Sequence, residues 1–149
     1  MRRHSLKHPL LALTLAASLS AAASADPIQS DISGSWVFET GHYYDGCRIT
    51  GRMQIFQTPE GGYSCDFTTF ETCPDLTSEV QQSCTARVQG DQVAIVSQIV
   101  SITDQQPLSY GYAPDDWLLT IRSEDRMTGT LESASRAEVV FERRSVPLS

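Results

Sequence analysis

His42 is the only histidine after residue 25, and it is therefore the only histidine available there as a general base. It stands beside Tyr43, Tyr44 and Asp45 in a stretch without a strand pattern. A Ser-His-Asp site needs a serine activated by such a base, and no segment has the pattern of a nucleophile elbow. A histidine in a stretch without a strand pattern, as His42 is, is typical of an exposed loop, so no catalytic residue is predicted.

Two pairs of adjacent carboxylates, Asp115-Asp116 and Glu124-Asp125, are the other candidates for acid–base chemistry. Both pairs flank predicted turns, where acidic residues are common. The sequence has neither a glycine-rich phosphate loop nor the pattern of a calcium loop. We therefore predict that the chain is not an enzyme and has no cofactor.

Four cysteines, Cys47, Cys65, Cys73 and Cys84, are separated by 18, 8 and 11 positions. Thiolate metal sites use short spacings such as C-x-x-C, which are absent here. No metal site is therefore predicted. An even number of cysteines is typical of disulfides in an oxidising compartment, and two disulfides are predicted.

Residues 1–25 have the three parts of a secretory signal peptide. A basic stretch is followed by a run of about 14 apolar or small residues and by the cleavage pattern Ala23-Ser24-Ala25. The run is shorter than the ~20 residues of a membrane-spanning helix. We predict cleavage after residue 25 and a single domain over 26–149, periplasmic or secreted by a bacterium.

The segment 26–149 is strongly acidic. It has 8 arginines, no lysine and 18 acidic residues, which gives a net charge of −10 (8 minus 18). Nucleic acids and anionic membrane surfaces repel such a chain. We predict neither as a partner, and no later apolar run is long enough for a stable membrane span.

Alternating apolar and polar residues dominate this segment, and eight strands are predicted. They are residues 33–40, 48–57, 63–70, 80–89, 92–103, 116–122, 126–132 and 136–144. Mostly short connections favour an antiparallel meander, which closes into an all-β, eight-stranded up-and-down β-barrel. The competing architecture is a two-sheet sandwich, which needs more long crossovers than the one candidate at 104–115.

Strand register predicts which cysteines pair. The turn at 58–62 is centred on Glu60, so the residue numbers of facing positions on the second and third strands add up to 120. This places Cys47 opposite Cys73. Placing Cys65 opposite Cys84 keeps the apolar faces of the third and fourth strands together. The predicted disulfides are therefore Cys47–Cys73 and Cys65–Cys84, which join only adjacent strands.

An up-and-down barrel separates its loops into two ends. The loops at 41–47, 71–79, 104–115 and 133–135 form one end, which we call the mouth. The short turns at 58–62, 90–91 and 123–125 form the other, which we call the floor. Loop tyrosines concentrate at the mouth, where such side chains favour binding or alternatively plug the barrel for stability.

The chain resembles the calycin superfamily of lipocalins, fatty-acid-binding proteins and avidins. The resemblance lies in Gly34-Ser35-Trp36 on the first strand and in Arg143 (or Arg144) at the end of the last. In calycins such an arginine packs across the tryptophan, so the resemblance implies structural roles for Trp36 and Arg143. The biotin-binding residues of avidins do not match.

The resemblance implies that an apolar or amphipathic small molecule binds in the barrel mouth. Inward parity and loop position together select eight ligand-binding residues: Phe38, Tyr43, Tyr44, Met53, Phe67, Tyr110, Tyr112 and Trp117. Large inward residues are equally consistent with a filled interior and with a cavity.

An alternative function is that of a protein-binding module. The chain is also similar to small periplasmic barrels that inhibit proteases by inserting an N-terminal segment into the protease cleft. Residues 26–31 are the matching segment here, and the loops are a second candidate surface.

Overall fold

The computed structural model describes residues 30–106 and 111–145, with the side chains of 104–106 excepted. It contains eight strands in chain order: β1 (Gly34–Thr40), β2 (Arg48–Gln57), β3 (Tyr63–Thr72), β4 (Thr77–Gln89), β5 (Gln92–Gln106), β6 (Asp116–Ser123), β7 (Arg126–Glu132) and β8 (Arg136–Arg143). The signal peptide and cleavage site predicted within residues 1–25 lie outside the described residues.

Each strand pairs antiparallel with its neighbours in sequence, and β1 also pairs with β8, which closes the barrel. The predicted eight-stranded barrel is confirmed, and the sandwich is excluded. No helix in the described ranges is long and apolar enough to cross a bilayer.

The predicted register is also confirmed. Cys65 faces Cys84 across β3 and β4, and Met53 faces Phe67 across β2 and β3. Disulfides join Cys47 to Cys73 and Cys65 to Cys84. Two disulfides are typical of a protein that works in a non-reducing, exported environment.

Three strand ends differ from the prediction by two residues or more. β3 continues to Thr72, β4 begins at Thr77, and β5 continues to Gln106. The predicted mouth loop 71–79 is therefore only a short connection, in which Cys73 N–H donates to the Leu76 carbonyl. Inter-strand hydrogen bonds extend the pairing here, whereas the sequence prediction relied on Pro74 and on apolar alternation.

Two glycines allow the strands and core side chains to approach closely. A Cβ on Gly51 would lie 2.1 Å from Cζ of Phe38, and a Cβ on Gly129 would lie 2.0 Å from the Leu118 carbonyl oxygen. Any larger side chain at these positions would overlap an aromatic ring or a neighbouring strand. Glycine at both positions therefore permits the close approach seen there.

The centre of the barrel is filled by an aromatic layer, which consists of Phe38, Phe67, Trp117 and Phe141. All four side chains are at most 4% exposed. The Phe38 ring centroid lies 4.9 Å from those of both Trp117 and Phe141, and Trp117 lies 5.2 Å from Phe141. The sequence left a filled interior and a cavity equally open, and at this level the side chains pack on one another.

Strand β5 is long, and only its first part is paired on both sides. β5 pairs with β6 only from Gln92 to Ile95, whereas it pairs with β4 from Gln92 to Gln106. Beyond Ile95 the Ser97 N–H donates to the Asp116 side chain at 2.7 Å instead of to a backbone carbonyl. The β5–β6 ladder therefore opens toward the mouth, and side chains take over the contact between the two strands.

Candidate functional site

Seven inward-facing residues toward the mouth are polar, among apolar neighbours such as Ile49 and Val139. They form what we call the mouth layer, and each is at most 5% exposed: Thr40, Thr69, Glu71, Ser78, Gln82, Ser97 and Asp115. Asp115 precedes Trp117 by two residues, and Thr69 follows Phe67 by two. Since inward side chains recur every second residue of a strand, the mouth layer lies directly above the aromatic layer.

Asp115 is the centre of the mouth layer and is completely buried. Its Oδ2 accepts three hydrogen bonds, from the Gln82 Nε2 at 2.6 Å, the Tyr112 hydroxyl at 2.8 Å and the Thr69 hydroxyl at 3.0 Å. Its Oδ1 has no hydrogen-bond partner among the described residues. The carboxyl group is thus held in one orientation by one oxygen, while the other is left free.

Gln82 and Ser97 fix the backbone that carries Asp115. The Asp115 N–H donates to Gln82 Oε1 at 3.0 Å, and the Ser97 hydroxyl donates to the Asp115 carbonyl at 2.6 Å. These bonds replace the missing β5–β6 ladder and anchor the start of β6. The position of Asp115 is therefore set by side chains from β4 and β5, more than fifteen residues away in sequence.

Glu71 is a second buried acid on the same end of the barrel. It is 2% exposed and faces Ser78 across the β3–β4 pair. Its Oε1 lies 3.9 Å from Sγ of Cys73, which has no proton to donate because it belongs to a disulfide. The hydroxyl of Ser78 has no hydrogen-bond partner among the described residues.

Neither buried acid has a basic partner within residues 30–106 and 111–145. The ion pairs there are Arg48–Glu39, Arg126–Glu142, Arg136–Glu132 and Arg143–Asp125. Burial raises the pKa of Glu71, and the nearby charge of Asp115 raises it further. Burial also raises the pKa of Asp115, more than the side-chain hydroxyl and amide groups of Tyr112, Gln82, Thr69 and Ser133 around it lower it.

These pKa shifts predict how stability depends on pH. A raised pKa means that the folded state binds the proton more tightly than the unfolded state does. The contribution of Asp115 to the free energy of unfolding is therefore fully present below its ordinary pKa of 3.8, and it is lost as the pH rises through the raised pKa of the folded state. The Asp115→Asn variant should lose free energy of unfolding less steeply than wild type between pH 4 and 8, measured by urea unfolding at each pH. The exposed-site variant Asp66→Asn should keep the wild-type slope. Equal slopes for wild type and Asp115→Asn would contradict this assignment.

Four of the predicted ligand-binding residues belong to the packed interior. Phe38, Phe67 and Trp117 are members of the aromatic layer, and Met53 is 2% exposed on β2. Their surfaces contact other core side chains. Their role in ligand binding remains a prediction.

The predicted tyrosines have different surroundings at the mouth. Tyr43 is buried and its hydroxyl accepts the Ser135 N–H at 3.1 Å, while Tyr44 is 37% exposed with its ring 5.7 Å from that of Tyr43. Tyr112 is half-buried and donates to Asp115. Tyr110 lies outside the described residues.

Sequence reasoning missed the mouth layer. It treated Asp115 as one of two acids flanking a turn, and it ended β3 at residue 70, before Glu71. The alternation of side-chain direction along a strand could have predicted the burial of Asp115, because Asp115 is two and four residues before the inward-facing Trp117 and Leu119. Glu71 likewise shares the inward parity of Thr69, and continuing the alternation by one step would have identified both acids as inward-facing.

Cys47, Glu71 and Cys73 bring three ligand-type atoms within 4.8 Å of one another. Both sulfurs are already joined in a disulfide, so neither is available as a thiolate. This group of side chains therefore does not have the chemistry of a thiolate metal site.

At the floor, Arg143 lies over the Trp36 ring with its guanidinium carbon 4.4 Å from the ring centroid. The guanidinium donates to the backbone carbonyls of Asp31, Ser33 and Glu124. It thereby ties the chain before β1 and the β6–β7 turn to the end of β8.

An open cleft of about 840 Å³ adjoins Trp36 and Arg143 at the floor, and Ser30 and Asp31 line part of it. The segment 26–31, which the protease-inhibitor alternative requires, is described only from Ser30 onward. Residues 26–29 lie outside the described residues, so that alternative remains a prediction.

Comparison with known proteins gives one informative likeness. No protein-family model matches the chain, and no curated protein matches it. The chain is similar to a solved structure described as the de novo design of a fluorescence-activating β-barrel, with a TM-score of 0.51 and 18% identity. The alignment covers 76% of this chain and 94% of the designed one. At this identity the likeness concerns the fold alone, which is that of a small β-barrel.

Proposed function

We propose that the chain is an exported small-molecule-binding protein of the calycin type, which takes a small amphipathic ligand at the mouth of the barrel. The observation that carries this proposal is the mouth layer. It combines a fully buried carboxyl oxygen on Asp115 and a buried hydroxyl on Ser78, both without a hydrogen-bond partner in the described residues.

Buried polar atoms are almost always hydrogen-bonded, because an unpaired one costs about 1–3 kcal/mol. A ligand that supplies donors to these atoms recovers that free energy on binding. Binding sites carry such costs in the free protein because the same groups then give orientation and specificity. The unpaired atoms therefore favour a ligand with a polar end directed at the mouth layer.

The surroundings favour an apolar remainder for the ligand. Tyr44 is 37% exposed at the rim, and Tyr112 is half-buried beside Asp115. Tyrosine rings offer contact area at small cost in conformational entropy. A small aromatic or aliphatic group would contact these rings while the polar end meets the mouth layer.

Two further observations support the family and the compartment in this proposal. The stacked pair of Trp36 and Arg143 agrees with the calycin arrangement in both residue types and position. The two disulfides agree with an exported protein, as does the secretory pattern of residues 1–25.

The proposal is tested by titrating the purified protein with the neutral fluorescent probe N-phenyl-1-naphthylamine. We expect saturable binding with one site per chain. Tyr112→Phe removes a donor to Asp115 and should change the probe affinity by about tenfold or more, since a hydrogen bond to a charged group contributes about 1.5–3 kcal/mol and about 1.4 kcal/mol corresponds to a factor of ten. Tyr63→Phe makes the same chemical change at a buried residue that contacts Asp31 near the floor, and it should leave the affinity unchanged.

Two results would contradict the proposal. The first is the absence of saturable binding by this probe and by the phenyl compounds described below. The second is an equal effect of Tyr112→Phe and Tyr63→Phe, because the probe would then not be bound at the mouth.

A further inference from the structure

We infer that the ligand of the mouth layer is a primary organic ammonium ion, whose –NH₃⁺ group binds between Asp115 and Glu71. This inference rests on the proposed function and names the chemical class of its ligand. It is carried by the charges of the mouth layer, by the number and arrangement of its free acceptors, and by the unpaired Ser78 hydroxyl.

The charge argument begins with the two acids. Glu71 is 2% exposed and Asp115 is fully buried, yet every ion pair of the described residues lies elsewhere in the barrel. Ionised groups in a protein interior are normally paired, since an isolated buried charge is very costly. The cation that is missing from the described part of the chain is therefore expected on the ligand.

The arrangement of acceptors matches one kind of cation. An ammonium group has three N–H donors and no acceptor. Two acceptors of the mouth layer, Asp115 Oδ1 and the Ser78 hydroxyl oxygen, have no hydrogen-bond partner in the described residues. The Glu71 carboxyl group is the third acceptor, and its Oε1 faces the Cys73 sulfur, which has no proton to donate because it belongs to a disulfide. Glu71 and Ser78 face each other across β3 and β4, and Glu71 follows Thr69, which is bonded to Asp115, on the same inward face.

Asp115 is also prepared for such a ligand before it arrives. Three donors, from Thr69, Gln82 and Tyr112, saturate Oδ2 and prevent the carboxyl group from turning. Oδ1 therefore keeps a fixed direction at no further entropic cost on binding. This arrangement is characteristic of a recognition group, whereas an acid that served only to tie strands together would use both oxygens.

Other ligand charges and metal ions fit less well. An anion would be repelled by the two acids. Calcium takes six to eight oxygen ligands, and magnesium needs six in octahedral geometry. Asp115 Oδ2 already accepts three hydrogen bonds, and Cys47 and Cys73 are joined in a disulfide, so too few ligand atoms remain among the described residues.

The test compares three phenyl compounds of similar size by isothermal titration calorimetry at pH 7.5. They are 2-phenylethylammonium, the neutral 2-phenylethanol and the anionic 3-phenylpropanoate. We expect the ammonium compound to bind with one site per chain and at least about tenfold more tightly than the alcohol, as a charge-assisted hydrogen bond predicts. The propanoate should bind least.

Variants then assign the binding to the two acids. Glu71→Gln and Asp115→Asn each preserve shape and remove one charge, and each should weaken binding of the ammonium compound by about tenfold or more. Asp66→Asn removes a charge from the exposed face of the same strand as Glu71 and should leave binding within about twofold, since exposed charges contribute little. Circular dichroism establishes beforehand that each variant is folded. The comparison of the three compounds with wild-type protein needs no variant.

The outcomes separate this inference from the proposed function. Binding of 2-phenylethanol as tightly as 2-phenylethylammonium would overturn the ammonium assignment and leave small-molecule binding in place. Unchanged binding in both Glu71→Gln and Asp115→Asn, or displacement of the ammonium compound by one equivalent of calcium chloride, would also overturn it. Failure of all three compounds and of N-phenyl-1-naphthylamine to bind would contradict the proposed function itself.

Discussion

Replacing Trp117 with alanine is expected to lower the free energy of unfolding by about 3–5 kcal/mol, the usual cost of removing a large buried aromatic side chain. Trp117 is fully buried, and its ring contacts those of Phe38, Phe67 and Phe141 at centroid distances of 4.9, 6.3 and 5.2 Å. Truncation removes these contacts and leaves a cavity at the centre of the barrel, because the surrounding strands cannot collapse onto it. Urea unfolding followed by circular dichroism measures the loss.

Leu118 provides the matched control for this substitution. It is the next residue on β6, points outward and is 54% exposed. Leu118→Ala should change the free energy of unfolding by less than about 0.5 kcal/mol, as is usual for exposed positions. A loss below 1 kcal/mol in Trp117→Ala would contradict a filled interior.

Indole should stabilise Trp117→Ala and not wild type, because an apolar cavity binds a ligand of matching shape.

Removing the Cys65–Cys84 disulfide by replacing both residues with alanine is expected to cost about 3 kcal/mol, as loop-closure entropy predicts for a short loop. The two cysteines are 19 positions apart and face each other on β3 and β4. The bond reduces the conformational freedom of the unfolded chain more than it changes the folded barrel. Guanidinium unfolding under non-reducing conditions measures the difference.

The Cys47–Cys73 disulfide serves as the comparison. Its separation of 26 positions predicts a similar contribution to stability. It also lies beside Glu71, whereas the Cys65–Cys84 disulfide does not, so only Cys47→Ala/Cys73→Ala should also alter ligand binding at the mouth. An unchanged midpoint of unfolding in Cys65→Ala/Cys84→Ala would refute the expected stabilisation.

The register of β2, β3 and β4 was predictable because it depends on short-range information. The turn centred on Glu60 fixes which residues face one another, and side-chain parity then excludes a slip by one residue. The pairing of Cys47 with Cys73 and of Cys65 with Cys84 follows from that register without any knowledge of the closed barrel. The ends of β3, β4 and β5 were wrong where inter-strand hydrogen bonds extended strands beyond their apolar pattern.

The mouth layer was not predicted, because its members meet through contacts between distant parts of the chain. Thr69 and Asp115 are 46 residues apart: Thr69 lies on β3 and Asp115 directly precedes β6, which is not a neighbour of β3 in the barrel. The local sequence places Asp115 as a polar residue just before a strand, which is typical of an exposed acid. Only closure of the barrel buries it opposite Gln82 and near Glu71.

The amino-acid sequence by itself determined the number of strands, their order, the register around the cysteines and both disulfides. These features follow from alternation with a period of two and from turn residues, which act over a few positions of the chain. The tertiary structure alone decided two matters. It filled the centre of the barrel with Phe38, Phe67, Trp117 and Phe141, and it brought Asp115 and Glu71 to the mouth without a cation in the described residues. Both depend on side-chain volume and charge summed across the closed barrel, which no local pattern encodes.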